Sequence, residues 1–174
     1  MEEVEELRER YFHTYGTSLR GLQMDYAVDA NEYLDFVHDV QISDFIQPDH
    51  QLTEILASLP GDKIIFTNAN KAHSKRVLHA LGVEQYFSQI VDVVDMDPYC
   101  KPYPQAFEVA MKLVNDPDPA NYILLDDSIK NVQAALDIGM SAIHVSPRQS
   151  NFGHITHITC IHEIRNVLPS FFEV

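Results

Sequence analysis

The chain has 174 residues, 45% hydrophobic and 22% of them charged, which suits one globular domain with a buried core. A net charge of −14 argues against nucleic acid or an anionic membrane as partner, because phosphate contacts demand cations, and no apolar run reaches the roughly 18 residues a membrane span needs. The acidic start, Met1 to Glu6, lacks the apolar core of a secretory leader, and Cys100 and Cys160 make no disulfide framework, so a reducing cytoplasm is expected.

Up to about Pro48 the apolar residues fall at helical spacing: Val4, Leu7, Tyr11, Phe12 and Tyr15, then Leu19 and Leu22, then Tyr33, Leu34, Phe36 and Val37. Asp29 and Glu32 have the spacing of a capping box at the start of the third helix. Beyond Pro48 helices alternate with short apolar runs. A helix over 49–59 stops at Pro60-Gly61, and a buried strand over 63–67 follows. The next helix runs from its cap at Asn70 to Leu81, with Gly82 as its stop. A strand over 90–94, a helix over 106–114 and a strand over 122–125 come next. Then a helix ends at Gly139, and a strand covers 142–145. This alternation predicts an α/β fold, a doubly wound parallel sheet covered by helices on both faces, with any ligand beyond the carboxyl ends of the strands.

Polar residues gather at those ends. Thr67-Asn68 offers a hydroxyl and a backbone N–H suited to a phosphoryl oxygen, or simply ends a strand. Lys101 precedes Pro102, which biases it toward extended backbone. Asp126 and Asp127 are adjacent at a strand end and repel each other unless a cation lies between them. A hard ion such as Mg²⁺ fits that pair, whereas helix capping accounts for only one of the two acids.

The segments Ile65-Phe66-Thr67-Asn68-Ala69, Lys101-Pro102-Tyr103-Pro104 and Leu124-Leu125-Asp126-Asp127-Ser128-Ile129-Lys130-Asn131 resemble, in this order, motifs two to four of the haloacid dehalogenase superfamily. Tyr15 to Leu22, Phe36-Val37-His38-Asp39, Ala72-His73 and Val77-Leu78 are similar to its pyrimidine 5′-nucleotidase-like branch. The resemblance implies a Rossmann-like core over 48–174 and a partial helical cap over 1–47. It implies that Thr67 and the Asn68 N–H hold phosphoryl oxygens, that Lys101 neutralises charge, and that Asp127 binds Mg²⁺ with Asp126 beside it. The substrate would be a small phosphorylated metabolite.

Motif one of that superfamily, an Asp-x-Asp ending a central first strand, has no counterpart between residues 1 and 174. Asp95-Met96-Asp97 has the spacing but follows a different strand and reads as loop. A truncated, inactive phosphomonoesterase is therefore expected. The alternatives are a non-catalytic scaffold that binds a phosphorylated ligand or a protein partner, and a flavodoxin-like regulator, which the helical first part disfavours. With its central strand gone, the sheet should gape, close on itself or recruit a substitute such as 155–161. His154, His157, Cys160 and His162 could suggest zinc, but Ile155, Ile158 and Ile161 interleave with them and point to an ordinary packed segment.

Overall fold

A computed structural model describes residues 2–148 and 153–172. Helices α1 (Glu2–Tyr15), α2 (Ser18–Tyr26) and α3 (Ala30–Val37) precede an alternating series: α4 (His50–Ser58), β1 (Ile64–Phe66), α5 (Lys71–Leu81), β2 (Gln89–Val91), α6 (Pro104–Val114), β3 (Ile123–Asp126), α7 (Ile129–Asp137), β4 (Ser141–Val145), β5 (Thr156–Ile158) and α8 (Ile164–Val167). Local chemistry sets many of the boundaries. Thr17, Asp29, Asp49 and Asn70 each accept first-turn N–H groups, and Pro104 takes the first helical position of α6. Gly82 stops α5 in the left-handed region at φ 75°.

Every ladder is parallel, as expected. Two corrections to the sequence reading follow. The second strand ends at Val91 rather than at Val94. There Asp92 Oδ1 accepts from the N–H groups of Val94 at 3.1 Å and Asp95 at 2.9 Å, turning the chain. The C-terminal segment, a candidate to stand in for a central strand, instead lies on the outer edge of β4, pairing Thr156–Ile158 with Ile143–Val145.

The strands form two sheets, β1-β2 and β3-β4-β5, with no ladder between β1 and β3. The Lys63 carbonyl accepts from Ser88 N–H, just ahead of β2, and the Thr67 N–H donates to Val91 O, so in a parallel ladder Ile64 and Phe66 turn their backbone groups the other way. Ser141 N–H bonds to Tyr122 O, which leaves Ile123 and Leu125 facing away from β4. A largely apolar slot of about 160 Å³ separates the sheets, lined by Ile64 and Phe66 on one side, Ile123 and Leu124 on the other, and Met111 and Val114 of α6, with Asp62 and Asn121 also on its wall. Residues of β1 and of β3 up to Leu125 are only half-buried, unusual for a parallel sheet with helices on both faces.

Helices α4, α5 and α8 pack on one face, through Ile55, Leu56, Leu78 and Ile164, and α6 and α7 on the other, through Phe107, Val132 and Ala135. Leu19 of α2 and Leu34 of α3 join the cluster of Val91, Val93 and Met96, so the first helices share a core with the sheet. Arg20 deepens that bond. It is 7% exposed and donates to the carbonyls of Val93 and Tyr99, both at 2.9 Å, and to Asp97.

A second seam joins α3 to α5, where His38 and His73 stack with ring centroids 4.1 Å apart. Burial holds both imidazoles below their ordinary range, with the Arg76 charge acting the same way on each. Asn70 and Asp35 beside His38 pull in the opposite direction without reversing the shift. Below a pH of about 6.5 the unfolded chain takes up these protons while the folded one resists, so stability is full above that value and falls as pH drops through it. The melting temperature should decline between pH 7.5 and 5.5, and His73→Phe should flatten the decline. An unchanged slope in that variant would remove the pair from the pH response.

Candidate active site

A cleft of about 440 Å³ opens at the carboxyl ends of β1 and β3 and is lined by Thr67, Asn68, Lys101, Asp126 and Asp127, all five site residues expected from sequence, together with Phe12, His13, Gly16, Ser128 and Lys130. The topology explains the convergence, because parallel strands deliver their last residues to one rim.

Lys101 is the hub. Its ammonium lies 2.6 Å from Asp126 Oδ2 and 2.6 Å from the Phe66 carbonyl, with side chains of Lys101 and Asp126 only 8% and 5% exposed. That carbonyl belongs to the open edge of β1, so the lysine bridges the carboxyl ends of β1 and β3. Asp126 Oδ1 accepts from Ser128 N–H at 2.8 Å and Asn131 Nδ2 at 2.9 Å, so with Lys101 three donors hold this carboxylate. Asp127 differs: it is exposed, and among the described residues its carboxylate has no hydrogen-bond partner. Its carbonyl accepts from His144 Nε2 at 3.1 Å, which fixes that tautomer and steadies the backbone at this position.

Thr67 Oγ1 accepts from Ala69 N–H at 3.0 Å, leaving its own proton to donate into the cleft. Asn68 does more than the sequence reading assigned it. Its side chain accepts from Lys101 N–H and donates to Lys101 O, both at 2.9 Å, clamping the lysine's backbone from 33 residues away. An asparagine just past a strand end was the only signal of this.

The helical segment is tied to the same loop. Tyr103 Oη donates to Thr14 O at 2.6 Å, and Cys100 Sγ to Tyr15 O at 3.3 Å. Gly16 lies at φ 82°, and a Cβ there would come within 3.0 Å of Cys100 Sγ and Lys101 O. Burial raises the Cys100 thiol above its ordinary range, so it stays protonated beside the cleft.

The donor set fits Mg²⁺ as an open shell. This ion takes one or two carboxylates and keeps its remaining positions for water and phosphate oxygens. Asp127 points into the cleft without a competing donor, Asp126 is adjacent, and no third acidic, histidine or cysteine ligand joins them among the described residues. The C-terminal histidines point elsewhere. His162 Nε2 pairs with Asp49 at 2.8 Å and His157 Nε2 meets the Ser146 carbonyl at 2.8 Å, while Ile155 and Ile158 are buried.

A Rossmann-like α/β fold with parallel strands and a polar cleft at their carboxyl ends defines the class. Residues 2–139 match the haloacid dehalogenase-like hydrolases, and the chain belongs to that family. It is 30% identical over 171 residues to Phosphate metabolism protein 8 of Saccharomyces cerevisiae, an alignment spanning 90% of this chain and 50% of that protein, so the chain spans about half the length of this curated relative. Among solved structures it resembles the magnesium-bound putative hydrolase YfnB of Bacillus subtilis, with TM-score 0.66 and 15% identity, covering 96% of this chain and 81% of the other. It also resembles a phosphatase of the family from Thermococcus onnurineus, with TM-score 0.61 and 21% identity, covering 94% and 80%. No helix among the described residues is long and apolar enough to cross a membrane.

Proposed function

We propose that this chain carries the phosphoryl-binding part of a Mg²⁺-dependent phosphomonoesterase of the nucleotidase type, acting on a small phosphorylated metabolite, and that it lacks the attacking carboxylate. The observation that carries this reading is the meeting of Thr67, Asn68, Lys101, Asp126 and Asp127 in one cleft, although they come from three separated stretches of sequence. Thr67 donates its hydroxyl to a non-bridging phosphoryl oxygen, and the Asn68 N–H assists. Lys101, held by Asp126 and the Phe66 carbonyl, lends positive charge to the same oxygens in a partly dry site. Asp127 holds Mg²⁺, with Asp126 beside it as an orienting neighbour. The ion, when bound, lowers the charge on the phosphoryl group. Residues 1–47 serve as the cap and 48–174 as the core. The strand that would bring the nucleophile belongs in the slot between β1 and β3, whose walls are largely apolar and whose edges have no strand partner.

A non-catalytic phosphate-binding scaffold is the second reading. It is favoured by one observation, that Asp126 and Asp127 are the sole acidic residues lining the cleft among the described residues.

Mg²⁺ should raise the melting temperature of the purified protein, and Asp127→Asn should abolish the shift. The exposed position of Asp127 makes this variant a mild perturbation of the fold. An undiminished Mg²⁺ response would place the ion elsewhere.

A further inference from the structure

A second groove, of about 490 Å³, runs beside α2 and the 97–105 stretch, and among the described residues it shares only Tyr103 with the cleft. Its apolar lining is three tyrosine rings, Tyr15, Tyr99 and Tyr103, together with Met24 and Pro98. Met24 is 70% exposed and Tyr99 and Tyr103 each 38%, so the groove is shallow and encloses little of a small ligand. Polar groups with spare capacity lie among the rings. Tyr15 and Tyr99 are bonded through their backbone carbonyls, while their hydroxyls have no partner among the described residues. Gln23 Oε1 accepts from Arg20 Nη1 at 2.7 Å, which leaves its amide hydrogens to donate. Gln105, also on the wall, has no side-chain hydrogen bond among the described residues. The buried guanidinium of Arg20 holds Asp97 Oδ1, but the Asp97 side chain is 59% exposed, with Oδ2 unpaired among the described residues.

We propose that this groove docks an extended, proline-rich peptide of a partner protein, with a basic residue beside the proline run. A polyproline II backbone makes no internal hydrogen bonds, so its carbonyls are open to the tyrosine hydroxyls and glutamine amides. Its proline rings cover the aromatic surface, the pairing by which aromatic-lined grooves recognise such segments. A docked helix would cover the same rings, but its carbonyls are already paired and would leave these donors without acceptors. Proline also fixes φ before binding, so little chain entropy is lost and a shallow surface can hold the segment. Charge selects the flank. Asp97 Oδ2 and the net charge of −14 attract a lysine or arginine and repel an acidic segment. The same charge opposes a second copy of this chain as the occupant.

Fluorescence anisotropy of a labelled synthetic peptide, a proline-rich run ending in arginine, tests this on titration with the whole chain. Tyr99→Ala should weaken binding about tenfold, the loss an aromatic anchor produces, and Tyr99→Phe, which keeps the ring, should weaken it less. Met24→Ala lies at an exposed position and should weaken binding at an unchanged melting temperature, which separates lost docking from lost fold. Two peptide variants leave the protein untouched. Alanine for the prolines and glutamate for the arginine should each lower the affinity. Absence of saturation with the folded chain raised to about 1 mM would overturn the proposal. So would equal affinity for the alanine-substituted peptide, or binding that Tyr99→Ala and Met24→Ala leave unchanged. Sedimentation of the chain alone gives the remaining outcome. A dimer that Tyr99→Ala dissociates would assign the groove to a second copy and overturn the peptide as its occupant.

Discussion

Mixed with Mg²⁺ and p-nitrophenyl phosphate or a pyrimidine monophosphate, the purified chain is expected to show no turnover in the ordinary enzymatic range of about 1–10³ s⁻¹. The reason lies in what the cleft contains. Covalent phosphoryl transfer needs an unencumbered nucleophile in line with the leaving group. Asp126 is engaged by Lys101, Ser128 N–H and Asn131, and Asp127 is the proposed Mg²⁺ ligand. Ser128 has no hydrogen bond to a base among the described residues, and His13 Nδ1 is occupied by Lys130. The Cys100 thiol is buried, donates to the Tyr15 carbonyl and is held in its protonated form. Binding and charge neutralisation remain, with only water to attack. Measured turnover within that range would mean that one of these groups is a nucleophile after all.

Replacing Lys101 by alanine is expected to cost about 3–5 kcal/mol of folding stability, the usual result of leaving one buried charge without its partner. Against a total of about 5–15 kcal/mol, such a loss would leave a large share of the molecules unfolded at moderate denaturant. Lys101 and Asp126 are both nearly excluded from solvent and 2.6 Å apart. The lysine is also the hydrogen-bond partner of the Phe66 carbonyl on the open edge of β1, so the variant loses that bond too. Asp126→Asn combined with Lys101→Met removes both charges together and should recover part of the loss. Urea denaturation of the single and double variants reads the effect. A loss below about 1 kcal/mol for Lys101→Ala, the range of an exposed pair, would show that the pair is solvated.

Local chemistry was the most legible part of the fold. Asn70 and Gly82 bracket α5 where the sequence places them, and Asp29 caps α3, because caps and left-handed stops involve neighbours in sequence. Strand existence and parallel pairing followed from apolar runs alternating with helices. The strand end at Val91 did not, since Val93 and Val94 continue the β-branched run and only the reach of the Asp92 carboxylate ends it. The position of 156–158 was equally hidden. Interleaved isoleucines show that the segment packs, but not which edge it takes. At the site, residue types and motif order brought the five principal residues to notice. Their division of labour came from packing, with Asn68 clamping Lys101 and Asp126 buried while Asp127 is exposed. The contact between His13 and Lys130 joins residues 117 apart in the chain and left no trace in local pattern.

The slot between β1 and β3 carries the central claim, that this cleft is a phosphoryl site waiting for a carboxylate-bearing strand. Both edges present backbone groups without a strand partner, at Ile64 and Phe66 on one side and Ile123 and Leu125 on the other, and such groups cost about 1–3 kcal/mol each when left buried and unpaired. The direct test is to fuse, ahead of residue 1, an apolar strand ending in Asp-x-Asp, and to measure Mg²⁺-dependent hydrolysis of p-nitrophenyl phosphate. The same fusion with Asn for the first Asp, and the unfused chain, serve as controls, and amide exchange at Ile64 and Leu125 reports whether the strand has docked. Turnover by the Asp fusion alone is the predicted result. Equal rates in either control would place the nucleophile elsewhere, and a fusion that protects those amides yet hydrolyses nothing would contradict the account outright.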